Sequence, residues 1–440
     1  MEETRVHVGF DDTDSPFGLC TTYLATLILT ELHRGGFHFA DFPYLIRLNP
    51  NIPFKTRGNG AVSIHLENVN DIEALKDTIQ HYLEKYALNH PKTDPTAVIY
   101  TGPLEQLKVL YHRALSDLVS PSLVKKLLDK NGGIILGGNK GRGIVGAAAS
   151  IGAYKLEKYT YELLLYRSPD IKKRNPSIEE IILEIDKILR PLIFSNVDYR
   201  SGRILAVPHG PDPVAAGIRS LNPLVLTSIS NRLAKLLECK QAVIYKTNQA
   251  TNCHLNVVKS IADLRPYDAA IVRGVVAGKV QKLKGGHVIF KITHNNSQAT
   301  CAVFRETGIL SRVAYCLREG DEVEVGGGVQ PRTKGLTINA EYIRVLSVKS
   351  ATIIENPTCP KCGKRMESAG RGKGYRCKRC NYTDIHTTKI VKEVPRPLEP
   401  GLYLQSPSAY RHLSLPKEII GSKPIPAKPF PEFFLCLMQP

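Results

Sequence analysis

Three carboxylates stand close together near the N-terminus: Asp11, Asp12 and Asp14 in "RVHVGFDDTDSPFGLCTTYLATLILTEL". An apolar, β-rich run precedes them and an apolar run of helical character follows, so the cluster lies where a strand ends and a helix begins. Carboxylates at that point can hold Mg²⁺ through one or two oxygens while substrate phosphates complete its shell. The helix start adds backbone N–H groups and a positive dipole end, which favour a phosphate at the same spot. Thr21 and Thr22 fall there, and either hydroxyl could cap the helix or meet a phosphoryl group. Two other aspartate loops are excluded. An EF-hand starting at Asp12 requires Gly and Glu where the chain has Phe17 and Tyr23, and a D-x-D-x-T/V nucleophile loop requires Thr or Val where it has Pro16. A solvated acidic loop is the plain alternative.

A second signal lies near the other end. Cys359, Cys362, Cys377 and Cys380 form two CxxC pairs separated by fourteen residues. Four thiolates on two tight knuckles make a closed tetrahedral sphere, suited to structural zinc and leaving no open catalytic position; four reduced, buried cysteines are the alternative. Arg371, Lys373, Tyr375, Arg376 and Lys378 surround them. Cations for phosphates with an aromatic for stacking suit irregular or single-stranded RNA.

Weaker signals lie between. "NPNIPFKTRGNG" offers Lys55 and Arg57, and the glycine-rich "GGNKGRG" offers Lys140 and Arg142, where backbone amides and cations could meet a phosphate. Neither is a P-loop, and an ordinary surface turn fits each equally well. "VPHGPDPVAAGIR" places His209 and Asp212 in a stiff turn that reads as entering a helix, with His209 more readily structural than a base.

The elements that must position these residues form a modular chain, since 440 residues exceed one core. Residues 1–130 alternate strand and helix as an α/β domain. Its helix "VNDIEALKDTIQHYLEKYA" carries Ile72, Leu75, Ile79 and Leu83 at helical spacing. Residues 131–263 open on a glycine-rich shift and continue as a split β-α-β pattern of α+β, ferredoxin-like type. Residues 269–348 read as five short strands with a brief helix near Leu310–Cys316, an all-β OB (oligonucleotide/oligosaccharide-binding) barrel. Residues 349–440 hold the paired cysteines, a four-cysteine zinc ribbon, and a proline-punctuated tail expected to be irregular.

The net charge is +18, which calls for a polyanionic partner. Half of it lies between Lys349 and Pro440, where 16 Lys or Arg face 7 Asp or Glu. The other six of ten cysteines are scattered without a disulfide framework, which fits a reducing compartment. No 18-residue apolar run and no signal-peptide pattern is present, so neither membrane nor export is indicated and a cytoplasmic location is expected.

Taken in order, "VGFDDTDSPFGLCTTYLA", "RLNPNIPFKTRGNGAV", "GRGIVGAAASIGA", "YELLLYR", "PHGPDPVAAGIR", "IYKTNQATNCHL", the barrel stretch and the CxxC pairs resemble the archaeal family of isoleucine-tRNA 2-agmatinylcytidine synthetases over nearly the whole chain. The resemblance implies kinase-like, ferredoxin-like, OB and zinc-ribbon domains, matching the segments above. It implies an ATP-dependent ligase with ATP, Mg²⁺ and structural Zn²⁺. The wobble cytidine of isoleucine tRNA (CAU anticodon) would be phosphorylated on its C2 oxygen, and the amine of agmatine would displace the phosphate while ATP goes to AMP. The product would pair with adenosine, so that AUA is read as isoleucine. The family's D-D-T-D motif falls on Asp11, Asp12 and Asp14, which would all bind Mg²⁺ and position the triphosphate, and its phosphate-accepting threonine on Thr21. Phe54 stands where an aromatic is expected, and Ser220 follows "GIR" where Gly is expected. Agmatine is a dication and needs acids; Glu162 and Asp212 are candidates, with salt-bridged structural acids as the alternative. A non-catalytic RNA-binding module and a phosphotransferase acting on itself or a small molecule are the competing readings. Oligomeric state is not indicated.

Overall fold

The apolar run ahead of the aspartates is a central strand. A computed structural model of the chain describes residues 5–14, 19–55, 58–87, 90–168, 175–208, 210, 212–333, 335–429 and 435–437. In it Val6–Asp11 forms β1, covered on both faces until its last residue. Thr21–Arg34 is α1, Tyr44–Arg47 β2, Gly60–Glu67 β3 and Ile72–Tyr86 α2. Leu75, Ile79 and Leu83 are the buried stripe of α2, as their spacing requires. Thr96–Tyr100 (β4), Glu105–Ser116 (α3), Pro121–Lys130 (α4), Ile134–Gly137 (β5) and Gly143–Gly152 (α5) complete the first half. The second half comprises Thr160–Tyr166 (β6), Ile178–Leu189 (α6), Val214–Ser220 (β7), Pro223–Leu236 (α7) and Gln241–Thr247 (β8).

The two halves share one sheet. Among the described residues it has eleven strands in the order β5-β4-β1-β3-β2-β8-β6-β7, with Ile193–Phe194 beyond β7, His38–Phe39 on β3 and Leu435–Leu437 on β8. Pairing is antiparallel except at the seam, where β2 and β8 run parallel with Tyr44 opposite Lys246 and Leu45 opposite Thr247. Reciprocal 2.8 Å hydrogen bonds reinforce it: the Arg47 N–H donates to Asn248 Oδ1, and Asn248 Nδ2 donates to the Arg47 carbonyl. The Tyr245 hydroxyl donates to the Thr22 carbonyl at 2.9 Å. Leu24 and Ile28 of α1 share a buried cluster with Leu163, Leu165 and Val243, so one core underlies both halves.

The glycine-rich stretch after Asn131 holds a strand and a helix that pack on the first half. Small residues let α5 approach closely: a Cβ on Gly9 would stand 2.0 Å from the Ala147 carbonyl oxygen, and one on Gly146 would stand 1.8 Å from Asp11 Oδ2. "VPHGPDPVAAGIR" does not enter a helix. Val214–Ser220 is the strand β7, with nearly every residue buried, so the alternation that separates strand from helix is missing there. Ser220 ends this strand, its hydroxyl donating to the Leu192 carbonyl at 2.7 Å, and needs no glycine-only conformation.

Ala269–Lys282 (β9), Val288–His294 (β10), Ser297–Val303 (β11), Glu322–Arg332 (β12) and Gly335–Ser347 (β13) form the expected five-stranded barrel. Its order is β11-β10-β9-β12-β13, closed by parallel β11–β13 pairing, with helix α8 (Ile309–Cys316) between β11 and β12. The asparagines of "LNPN" dock it. Asn49 Nδ2 donates to the Tyr267 carbonyl at 2.8 Å, and Asn51 Oδ1 fills the space 2.0 Å from where a Gly328 Cβ would be. Arg396, past the ribbon, is bound to the fully buried Asp321 of the barrel. Gly401–Leu404 (β14) then joins β13, and within the proline-punctuated tail from Lys423 onward Leu435–Leu437 adds a strand to β8, so that tail is not wholly irregular. Among the described residues no helix is long and apolar enough to cross a membrane.

Gly146→Ala places a methyl in the space of the Asp11 carboxylate and should cost ~1–3 kcal/mol of stability. Urea denaturation measures this; an unchanged midpoint would contradict the close seat of α5 on β1.

Candidate functional site

The end of β1 gathers negative charge with little compensation. Burial, and then the neighbouring Asp12, Asp14 and Asp94, push the Asp11 carboxyl well above the usual carboxylate range. Burial raises Asp12 to about 6, opposed by the Arg142 guanidinium, whose Nη2 lies 3.8 Å from Asp12 Oδ2. The Asp12 backbone is left-handed (φ 56°) and its N–H donates to Asp11 Oδ1 at 2.7 Å. Carboxylates gathered in this way, Asp11 and Asp12 among them, could hold a divalent cation.

Asp14 turns the other way. Its Oδ1 accepts the Thr21 N–H at 2.9 Å, capping α1, and the Thr21 hydroxyl at 3.1 Å. The Thr13 hydroxyl donates to Thr21 Oγ1 at 3.2 Å. The Thr21 hydroxyl is therefore held by a carboxylate instead of capping the helix, and Thr22 Oγ1 lies 3.3 Å from the Cys20 sulfur. A hydroxyl donating to a carboxylate is poised to lose its proton.

Asp14 and Thr21 open on a cavity of about 640 Å³ that also has Lys55, Glu162 and Asp212 on its walls. With Thr22, six of the residues singled out in the sequence thus come together from both halves. Glu162 is already engaged: Arg219 Nε donates to Oε1 at 3.1 Å, and Gln249 Nε2 bonds Oε2. The Asp212 backbone is held by Arg167, whose Nη2 donates to its carbonyl at 2.8 Å. Burial, with Arg411 nearby, lowers the Lys55 pKa. Phe54 is largely exposed.

Lys140 does not reach the cavity. Its ammonium donates to the carbonyls of His90, Pro91 and Thr93 at 2.8–3.1 Å. Arg142 Nη2 donates to the Lys92 carbonyl at 2.6 Å. The amides of Lys140 and Arg142, 2.8 and 2.7 Å away, point at the two oxygens of Asp94. Asp94 thus occupies the glycine-rich loop where a phosphate could have been expected, and nothing in "KTDPT" announces it. Arg57 and His209 lie outside the described residues.

Sequence reasoning also missed Arg47, Arg219, Arg411 and His412 on the cavity wall. Arg47 and Arg219 stand inside quoted motifs, "RLNPN" and "GIR", and their type was the available signal. Arg219 Nη2 lies 3.1 Å from His412 Nδ1, which must accept because a guanidinium only donates. Arg47, burial and Arg219 hold the His412 pKa well below its ordinary value, so the ring is neutral.

The four ribbon sulfurs lie within 4.8 Å of one another, with Cys359–Cys380 and Cys362–Cys377 at 3.4 Å. Tetrahedral sulfurs about 2.3 Å from zinc stand roughly 3.8 Å apart, so the cluster fits that ion. Gly363 and Asn381, both left-handed, make the knuckle turns. Arg371, Lys373, Arg376 and Lys378 are exposed, whereas Tyr375 is half-buried against the cysteines. Lys378 pairs with Glu367 at 2.6 Å, and Arg376 donates to Asn381 Oδ1 at 3.1 Å.

A threonine held by a carboxylate, a cation-ready aspartate cluster, a five-stranded barrel and a four-cysteine ribbon place the chain among multidomain proteins that join phosphate chemistry to nucleic-acid-binding modules. Family profiles described as the TiaS TCKD domain, the TiaS FLD domain and the TiaS C-terminal zinc ribbon domain match residues 7–137, 141–254 and 356–398. The isoleucine-tRNA 2-agmatinylcytidine synthetase TiaS of Thermofilum pendens is 47% identical over 435 residues, covering 97% of this chain and 98% of that one. That of Staphylothermus marinus is 41% identical, covering 96% and 95%. Crystal structures of TiaS with its isoleucine tRNA and ATP, and with that tRNA, AMPCPP and agmatine, superpose with TM-scores of 0.81 and 0.78 at 37% and 35% identity. Each covers 94% of this chain, which in turn covers 97% and 96% of theirs. The chain belongs to the isoleucine-tRNA 2-agmatinylcytidine synthetase (TiaS) family.

Asp12→Asn should raise the stability of the metal-free protein at pH 7. The carboxyl binds its proton more tightly folded than unfolded, so its ionisation lowers stability as pH rises from about 4 to about 6. Asn keeps the left-handed backbone and the acceptor oxygen without the charge. The gain, discounted for solvent reaching the loop, is roughly 1–2 kcal/mol at pH 7 and vanishes near pH 4. Thermal melts across that range check it; an equal gain at both pH values would contradict the assignment.

Proposed function

We infer that this chain is an ATP-dependent ligase that joins agmatine to the wobble cytidine of isoleucine tRNA. The single observation that carries the reading is the cavity at which Asp14 and Thr21 from one half meet Glu162 and Asp212 from the other. Relatives of the same length and architecture, crystallised with isoleucine tRNA, ATP and agmatine, support it. A non-catalytic RNA binder has no use for a threonine held by a carboxylate beside that cavity.

In this reading the first half is the kinase-like domain. The second is ferredoxin-like, with its strands in the order β8, β6, β7, Ile193–Phe194, or 4-1-3-2 by position in the chain. The barrel is an OB fold, and barrel and ribbon carry the RNA. The division proposed at residues 1–130, 131–263, 269–348 and 349–440 is read with β5 and α5 packed on the first half.

Asp11 and Asp12 would hold Mg²⁺, which when bound neutralises the triphosphate. Asp14 accepts the Thr21 proton as that hydroxyl takes a phosphoryl group from ATP, the nucleotide leaving one phosphate shorter. Lys55 and Arg57 serve the nucleotide phosphates; Lys140 and Arg142 act through the Asp94 loop instead. A phosphoryl group from the nucleotide passes to the cytidine C2 oxygen, turning a poor leaving group into a good one; the agmatine amine then attacks C2, phosphate leaves with that oxygen, and the amine sheds a proton. Asp212 receives the agmatine cation. Glu162, engaged by Arg219 and Gln249, shapes the wall beside it. A tRNA substrate favours a cytoplasmic location.

Incubation with isoleucine tRNA, ATP, Mg²⁺ and agmatine should add agmatine to the wobble nucleoside, seen by mass; no gain with tRNA bound would sink the reading. Asp12→Ala should cut ATP consumption by at least ~100-fold and leave tRNA affinity unchanged. Cys377→Ser should weaken tRNA binding about tenfold while ATP chemistry survives. Unaltered turnover in the first, or unaltered affinity in the second, would remove that group from its role.

A further inference from the structure

The described part of the segment beyond the ribbon runs from the barrel along the wall of the cavity. It leaves the barrel at β14 and rejoins β8 at Leu435–Leu437. Between them, the carbonyls of His412 and Leu413 each accept an amide, from Ala250 and Asn252, at 2.8 Å. This strap puts Arg411 and His412 on the cavity wall beside Lys55 and Arg219.

Arg411 stands where three parts of the molecule meet. Its Nη1 donates to Asn51 Oδ1 of the first half at 2.9 Å and lies 3.4 Å from Glu341 Oε1 of the barrel. Glu341 is shared, because its other oxygen is 3.0 Å from His254 Nε2. Arg411 remains 40% exposed, so part of its charge is available to a ligand at the cavity mouth. Lys55 lies close enough for the two cations to repel. His412 accepts from Arg219 on Nδ1, which leaves Nε2–H as a donor.

We propose that the strap completes the reaction pocket and that Arg411, at the junction of barrel and cavity, holds an RNA backbone phosphate beside the nucleotide that enters. This rests on the ligase reading above. A base worked on by an enzyme must leave its stack, so the flanking phosphates pass the pocket mouth. Arg411 is a cation of the cavity wall that also touches the barrel, through Glu341. His412 is a positioning residue that holds Arg219 against Glu162.

The test uses the full chain with Arg411→Ala and Arg411→Lys. Arg411→Ala should raise KM for tRNA about tenfold, leave KM for ATP within about twofold, and reduce the log–log salt slope of tRNA binding by about one. Arg411→Lys keeps the charge and should recover most of both tRNA readouts. Unchanged tRNA KM and slope in Arg411→Ala would overturn the proposal. So would a raised KM for ATP alone, which would assign the cation to nucleotide polyphosphate. A Lys variant no better than Ala would also overturn it, leaving only the structural tie to Asn51 and Glu341. Should the wild type attach no agmatine, the ligase reading falls, and the salt slope still decides for or against Arg411.

Discussion

Everything about the site depends on the parallel pairing of β2 with β8. Two register pairs and the reciprocal Arg47–Asn248 hydrogen bonds turn two α/β halves into one sheet. Asp14 and Thr21 belong to the half that carries β2, and Glu162 to the half that carries β8. Across the seam, both sets face one cavity, and Arg47, fixed by the seam through its backbone, extends its guanidinium into the same space. Burial lowers its pKa, so the charge is held there at a desolvation cost that an anionic ligand would offset.

The site itself is a balance of strained charges. Asp11 and Asp12 sit where burial and like charge both oppose ionisation, and α5 is built from glycine and alanine so that it can press against them. Structures accept such costs at functional sites and recover them in packing elsewhere. The barrel is joined to this region through Asn49, Asn51 and Arg411, so the barrel and the cavity share side chains.

Local features were legible in the sequence and long-range ones were not. The aspartates, Thr21 and the paired cysteines are contiguous signals, and α2 shows its stripe at helical spacing. Val214–Ser220 misled because its small, almost wholly buried residues lack alternation. The glycines of α5 argue against a helix locally, yet a Cβ on Gly143, Gly146 or Gly152 would run into Thr96, Asp11 or Leu107, neighbours that no local pattern reveals. Lys140 and Arg142 read equally well as phosphate contacts or as a surface turn, because Asp94, 46 residues from Lys140, was invisible as a partner of that loop. Arg411 and His412 lie in a segment whose course along the cavity wall no periodicity reveals.

The central claim is that nucleotide, RNA and agmatine meet in the cavity at the seam. Amide hydrogen exchange, followed with and without tRNA, a non-hydrolysable ATP analogue and agmatine, tests it most directly. Residues 19–24 and 44–48 from the first half, 214–219 from the second and 406–413 from the strap should all slow together on addition of the three ligands. Protection confined to one half, with the opposite wall and the strap unchanged, would contradict a shared site.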